Sequence, residues 1–389
     1  MSTEKILDRA SFLKGVAVGR TLWRLAGGPA GPAPEVGPFQ MKIDLQPYGR
    51  TLFNADMRGT FHIDWGDGSS ESVDYNGSNG LEHEYPALGV YTITIEGDLR
   101  LLGHGPWTRN GLKAVVELLS PLPASLETIS YAFSECGGLT SIPPDLFSRC
   151  AGLKSLTGCF SKSPIAAIPA GLFDNCAAAV SFDSCFANCT ALTAIPAGLF
   201  DRCAKAAAFD NCFLGCALIA AIPAGLFGNC PEAKSFSSCF HECAALVDIP
   251  GGLFRGLRKA TTFSSCFGWC GALASVPDDL FDGCAAAVYF DSCFQMCTSL
   301  GAVGSGLFAD SPLAARFRAC FSSCSSLTSV PDSLFDGNAV TQLNECFLRC
   351  TKLAHAPALW TKFPNATHTR CFLSCKMADN YEDIPTDWK

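Results

Sequence analysis

A Cys-Phe pair recurs through most of this chain. It stands at Cys159, Cys185, Cys212, Cys239, Cys266, Cys293, Cys320, Cys346 and Cys371, with steps of 26, then 27 five times, then 26 and 25 residues. Ala132-Phe133 is a degenerate earlier copy. A fixed period of this length restricts the fold more than any other feature. One such unit cannot bury its own apolar side, so successive units stack and bury it together as a solenoid.

Within the unit that starts at Cys185, apolar residues fall at about every third position. Phe182, Cys185, Cys189, Leu192, Ile195, Leu199 with Phe200, Cys203, Ala206 and Phe209 form the series. This matches neither the 3.6 period of a helix nor the period of two of a long strand. It suits a coil of short elements that turns one side chain inward per step. Proline follows the isoleucine in Ile195-Pro196, Ile222-Pro223 and Ile249-Pro250. Proline gives no ladder donor, so Leu192-x-x-Ile195 is the expected strand, extended by neighbouring coils into a parallel sheet.

The aromatic before Cys, then Cys-x-x-Leu-x-x-Ile, then Leu-Phe resembles the BspA-type leucine-rich repeats of bacterial surface and phage-borne proteins. The resemblance runs from about Val115 to the C-terminus. It implies about ten leucine-rich-repeat-like coils of 25–27 residues, over 132–375. The doubled Cys-Phe-x-x-Cys departs from the commoner form of that repeat.

The 389 residues are 48% hydrophobic and 16% charged, ample for a core. A formal charge of −8, with no basic run, argues against a nucleic-acid partner. No apolar run reaches the roughly 18 residues of a membrane span. All 23 cysteines lie in the repeat region. Their spacing follows the coil, not a disulfide framework or a zinc motif. Cysteine behaves as a small buried hydrophobe, so reduced core thiols are expected. Stacking also makes disulfides between coils geometrically feasible. The odd thiol count fits folding in a reducing compartment such as a bacterial cytoplasm.

Residues 1–25 read as a short N-terminal helix, with Leu7, Ala10, Leu13, Ala17 and Trp23 on one face. Lys14 and Arg20 argue against a signal peptide. Gly15 and Gly19 would let another helix approach closely. The segment is either a frayed tail or a docking peptide through Phe12, Leu13, Gly15, Gly19 and Trp23. Phe12 to Arg20 resembles the N-termini of some prophage tail-associated proteins. Residues 26–38 form a Pro/Gly linker.

Residues 39–103 read as a small β-sandwich. Trp65-Gly66-Asp67-Gly68-Ser69, after Asp64, is a tight turn, and Gly89-Val90-Tyr91-Thr92-Ile93-Thr94-Ile95 is an alternating strand. Together with His83-Glu84-Tyr85 this resembles polycystic-kidney-disease (PKD) domains, which implies an immunoglobulin-like sandwich serving as a spacer or binding module. Asp64 and Asp67 either stabilise the turn or hold calcium. Residues 104–131 are a junction and N-terminal cap, with Val115, Val116, Leu118 and Leu119 too apolar for a free linker. Residues 376–389 are the opposite cap, with Tyr381, Ile384 and Trp388 as plugs.

No catalytic constellation stands out. The six histidines lack metal spacing with one another or with a carboxylate. A nucleophilic cysteine should be singular with a base beside it, whereas here cysteine is a repeat position. The chain is therefore expected to be no enzyme and to need no cofactor or metal. A binding reading has a sharper handle. The x-x pair of Cys-Phe-x-x-Cys collects bulky, diverse residues while core slots hardly change. Leu214, His241, Glu242, Trp269, Gln295, Met296 and Arg349 form the candidate stripe. The alternative is that this slot is simply the least constrained turn.

The reading that follows is a phage or prophage tail adhesin, folded in the bacterial cytoplasm before assembly. Its partners would be a host surface protein or polysaccharide, and other tail proteins through its N-terminus. The alternatives are a bacterial cell-surface or secreted adhesin, or a structural decoration protein of the virion.

Overall fold

The computed structural model describes residues 37–75, 80–103 and 111–389. The expected N-terminal helix, with Phe12, Leu13, Gly15, Gly19 and Trp23, lies outside the described residues, as does most of the linker.

Six strands open the described chain: β1 (Phe39–Asp44), β2 (Leu52–Asp64), β3 (Ser70–Tyr75), β4 (Leu81–Glu84), β5 (Val90–Gly103) and β6 (Val115–Leu118). In β1 strict alternation buries Phe39, Met41 and Ile43 and turns the intervening residues outward. The strand order is β3-β2-β5-β1-β6, with β4 on the first part of β2, and the pairings are antiparallel. The strands connect into one six-stranded array in which β2 pairs with β3, β4 and β5, and the expected immunoglobulin-like sandwich of two separate sheets is not confirmed. The physical reason sits at Gly59. Its φ is 137°, the register shifts between Arg58 and Gly59, and a Cβ there would collide with the Asp98 carbonyl. A bulge of this kind redirects a strand, so β2 pairs with β4 before the bulge and with β3 after it.

Val115–Leu118, read from sequence as part of the junction, is the edge strand β6. It pairs with β1 through Met41 and Leu118. The passage into the repeats runs elsewhere. Leu101 of β5 forms a parallel bridge with Thr128, and Thr128 bridges Ser155. Bridges continue rung by rung to Thr367, through Ser181, Ala208, Ser235, Thr262, Tyr289, Arg316 and Gln342. The sheet's own strand is thus the first rung of the solenoid.

The ladder also corrects the expected strand. Leu192-x-x-Ile195 and its equivalents do not form the continuous sheet; in that slot a single bridge joins Ala302 and Ser329. The continuous contact lies in the segment that carries Phe-x-x-Cys-Phe-x-x-Cys. There Phe182, Ser184 and Phe186 donate N–H bonds to Ala208, Asp210 and Cys212 of the next coil, at 2.9, 2.7 and 2.9 Å. The alternate residues Cys185, Ala187 and Cys189 donate back three positions, to Phe182, Ser184 and Phe186. Overlapping turns, not an extended strand, therefore carry the ladder. They explain the every-third-residue pattern, because each turn returns one side chain to the core.

That core is three stacked phenylalanine files. Phe186, Phe213, Phe240, Phe267 and Phe294 stack at ring separations of 5.6–5.7 Å. Phe200, Phe227, Phe254 and Phe281 form the second file at 5.7–5.8 Å. Phe182, Phe209, Phe236 and Phe263 form the third, meeting the second edge-on or tilted. All of these rings are fully buried. The 23 cysteines of the chain are buried free thiols. At the C-terminal end a short helix α1 (Leu359–Lys362) leads to the last coil. There Phe372 donates to the Trp388 carbonyl at 2.9 Å, with Trp388 and Ile384 buried. Among the described residues no helix is long and apolar enough to cross a membrane.

Candidate binding face

The x-x slot is built by two turns in series. The residue before each Cys-Phe has a left-handed backbone, as at Ser184 (φ 56°) and Ser265 (φ 56°). The second x is left-handed as well: Lys162, Asn188, Gly215, Glu242, Trp269, Met296, Ser323, Arg349 and Ser374 all have φ between 58° and 71°. The backbone of the slot is thus the same in every coil while its residues vary. Gly215 and Asn188 are the residues such a backbone favours. Trp269, Met296, Glu242 and Arg349 occupy the same backbone against that preference, at about 1–2 kcal/mol per residue.

Backbone bonds set the order along the face. Gly215 donates to the His241 carbonyl at 2.8 Å, Glu242 to Gly268 at 2.8 Å, Trp269 to Gln295 at 2.7 Å and Met296 to Ser322 at 2.8 Å. Leu214, His241, Gly268 and Gln295 thus form one file, and Gly215, Glu242, Trp269 and Met296 the other. Six of the seven stripe residues share this contiguous patch. Arg349 lies apart, because the coil bearing Ser322 and Ser323 intervenes.

The two files differ in burial. Leu214, His241 and Gln295 are half-buried, and Glu242 is exposed. Trp269 is 49% exposed, the open centre of the patch. The His241 imidazole lies over Gly268, where a Cβ would sit 2.7 Å from Nδ1. Its Nδ1 is buried with no hydrogen-bond partner, and its Nε2 is 3.5 Å from Glu242 Oε1.

Sequence reasoning missed a second polar file on the ladder. Asp183, Asp210 and Asp291 each accept the backbone N–H of the residue one coil on, from Asp210, Ser237 and Arg318 at 2.9, 2.8 and 3.0 Å. Burial pushes the Asp183 carboxyl above its ordinary value, against the bonds that Asp210 and Ser181 donate to it. Further along, Arg316 lies over the exposed Tyr289 ring at 5.3 Å and pairs with Asp291 at 3.1 Å. The recurring polar residue after Phe was the available signal.

In the sheet, Asp67 is a turn-holding group. Its Oδ1 accepts the Ser69 backbone N–H at 2.9 Å and hydroxyl at 2.6 Å, and its Oδ2 pairs with His83 Nε2 at 2.8 Å. Burial raises the Asp67 carboxyl, but the Ser69 and His83 bonds outweigh it and hold the group at about 2. His83 in turn stacks on Trp65 at 4.4 Å. Asp64 accepts the Gly66 N–H at 2.9 Å. Among the described residues no cluster of His, Cys, Asp or Glu has a metal-holding arrangement.

No family model matches the chain, and no curated protein matches it. Solved structures similar to it include a chain of the Toll–Spatzle complex of Drosophila, at 16% identity and a TM-score of 0.37, covering 64% of this chain and 33% of that one. The glycosylated form of that complex gives 15% identity and a TM-score of 0.40, covering 67% and 38%. A leucine-rich cell surface protein from Faecalibacterium prausnitzii gives 17% identity and a TM-score of 0.31, covering 84% and 93%. The Toll–Spatzle alignments thus span a third to two fifths of those chains. All these likenesses are too distant to carry weight, and the solenoid rests on the coil geometry itself.

Proposed function

We propose that this chain is a non-enzymatic adhesin of the leucine-rich-repeat type, and that the left-handed file centred on Trp269 is its binding face. One observation carries the reading. The backbone of that file favours glycine or asparagine, and Gly215 and Asn188 show that the repeat accepts them. Bulky side chains held in such a conformation are grounds for a functional hypothesis. Exposed Trp, Met and Arg are the residues that anchor interfaces.

The resemblance of Phe12 to Arg20 to prophage tail-associated N-termini supports a tail-borne location, with the six-stranded sheet as spacer and the N-terminus joined to other tail proteins. A bacterial cell surface is the alternative location. The test is binding of the purified chain to a panel of bacterial cells, compared with Trp269→Ala and with Leu313→Ala. Leu313 is equally exposed but lies off the file. Loss of binding with Trp269→Ala alone supports the reading. Equal binding by all three chains removes the file as the binding face.

A further inference from the structure

We propose that the Trp269 patch takes the neutral sugar units of a polysaccharide, with one sugar ring lying flat on the indole. This rests on the binding face described above and adds the class of ligand.

Three features of the patch select a saccharide. First, the indole is open. Trp269 is about half exposed, and among the described residues no cation or ring is stacked on it. Along the chain its neighbours Gly268, Gly271 and Ala272 are small. An open, flat aromatic face receives the apolar C–H face of a sugar ring.

Second, hydrogen-bonding side chains stand on the neighbouring coils. Glu242 precedes Trp269 in its own file and Gln295 follows Gly268 in the adjacent file, each about 4.8 Å along the ladder. A carboxylate and an amide near the indole supply an acceptor and a donor for the hydroxyls of a ring stacked on it. Imidazole and thioether groups, from His241 and Met296, complete the border.

Third, the charge excludes an anionic polymer. Within one coil of Trp269 the charged member of the stripe is Glu242, while Lys162 and Arg349 stand several coils away. The chain as a whole carries a formal charge of −8. A phosphate-bearing or uronic chain would be repelled, and a neutral one would not. A protein partner fits less well. It needs about 800 Å² of surface on each side with an apolar centre, and this patch has one exposed ring among small and polar residues.

The experiment uses the full chain and three probes: immobilised neutral oligosaccharides, immobilised acidic oligosaccharides, and bacterial cells that the unmodified chain binds. The cells are used untreated, after periodate cleavage of sugar diols, and after protease treatment. The expected result is binding to neutral oligosaccharides over acidic ones, and cell binding abolished by periodate but kept after protease. Trp269→Ala should weaken both by about thirtyfold or more, Trp269→Phe by less, with unchanged circular dichroism. If periodate leaves cell binding intact while Trp269→Ala still weakens it, the face stands and the saccharide assignment falls. If Trp269→Ala binds cells like the unmodified chain, the face itself is wrong. Preference for acidic oligosaccharides overturns the neutral class.

Discussion

The Ser163 hydroxyl donates to the carbonyl of Phe133 at 2.6 Å. In later coils the same slot holds cysteine, and the thiol makes the same bond. Cys189 reaches Phe160 at 3.1 Å, Cys243 reaches Phe213 at 3.4 Å and Cys297 reaches Phe267 at 3.1 Å. Where the second cysteine is present, it is thus a small buried donor as well as a hydrophobe. Cys243→Ser keeps a donor, whereas Cys243→Val removes it and should cost about 1 kcal/mol more. Urea midpoints of the two variants decide this. A valine variant as stable as the serine variant would reduce the thiol to a space-filler.

The buried thiols predict alkaline sensitivity. Burial pushes Cys270 and Cys284 up to about 12, and others such as Cys239 well above their ordinary value. An unfolded chain ionises its thiols near pH 8.5, while the fold keeps them protonated. Above that pH the unfolded state holds fewer protons, so stability is complete below about pH 8.5 and falls as pH rises toward 12. Each such thiol contributes a slope of about 1.4 kcal/mol per pH unit. Urea midpoints measured under reductant at pH 7.5 and 9.5 should differ strongly. Equal midpoints would mean that the thiols are not held neutral.

Asp67 predicts acid sensitivity of the sheet. Its folded value of about 2 lies below that of an unfolded aspartate, about 3.9. Its contribution is present above about pH 4 and is lost as pH falls toward 2. Asp67→Asn should therefore be less stable than the parent at pH 6 and nearly equal to it at pH 2. Tryptophan fluorescence unfolding at the two pH values measures the gap. A gap that stays constant between them would show that the bonds Ser69 and His83 make to the carboxylate contribute nothing.

At Trp269 the usual order of glycine and alanine should reverse. Both substitutions remove the indole equally, but the φ of 63° penalises alanine by about 1–2 kcal/mol and glycine hardly at all. Trp269→Gly should thus melt higher than Trp269→Ala. Phe267→Ala, two residues away and fully buried between Phe240 and Phe294, should lose about 3–5 kcal/mol. Calorimetry on the three variants gives the ranking. Alanine above glycine would mean that the backbone at 269 is not left-handed in solution.

Much of the core was legible in sequence, because Phe186, Cys189 and Phe200 recur at spacings that only inward-facing slots would keep. The route of the ladder was not. Leu192-x-x-Ile195 has a strand's apolar spacing, but overlapping turns around Ser184 and Asn188 direct their N–H groups along the stack and take its place. Nothing in Ser184 or Trp269 advertises a positive φ as Gly215 does, so diversity at the slot was visible while its constraint was hidden. Strand β6 was missed because it is four residues long and its partner β1 lies far back in the chain. The bend in β2 depends on one glycine, Gly59, whose close approach to Asp98 only tertiary structure reveals.

The bridge between Leu101 and Thr128 bears on how the chain acquires its structure during synthesis. A repeat array pays its largest entropic penalty at the first coil, which has no neighbour to lie on. Here the neighbour already exists. Strand β5 belongs to a sheet that is complete, apart from β6, before any coil has left the ribosome, and domains emerging first fold first. Each coil can then settle on the one before it as translation delivers it. The phenylalanine files grow in one direction, and an unpaired apolar end is offered to the surroundings for no longer than the synthesis of one coil.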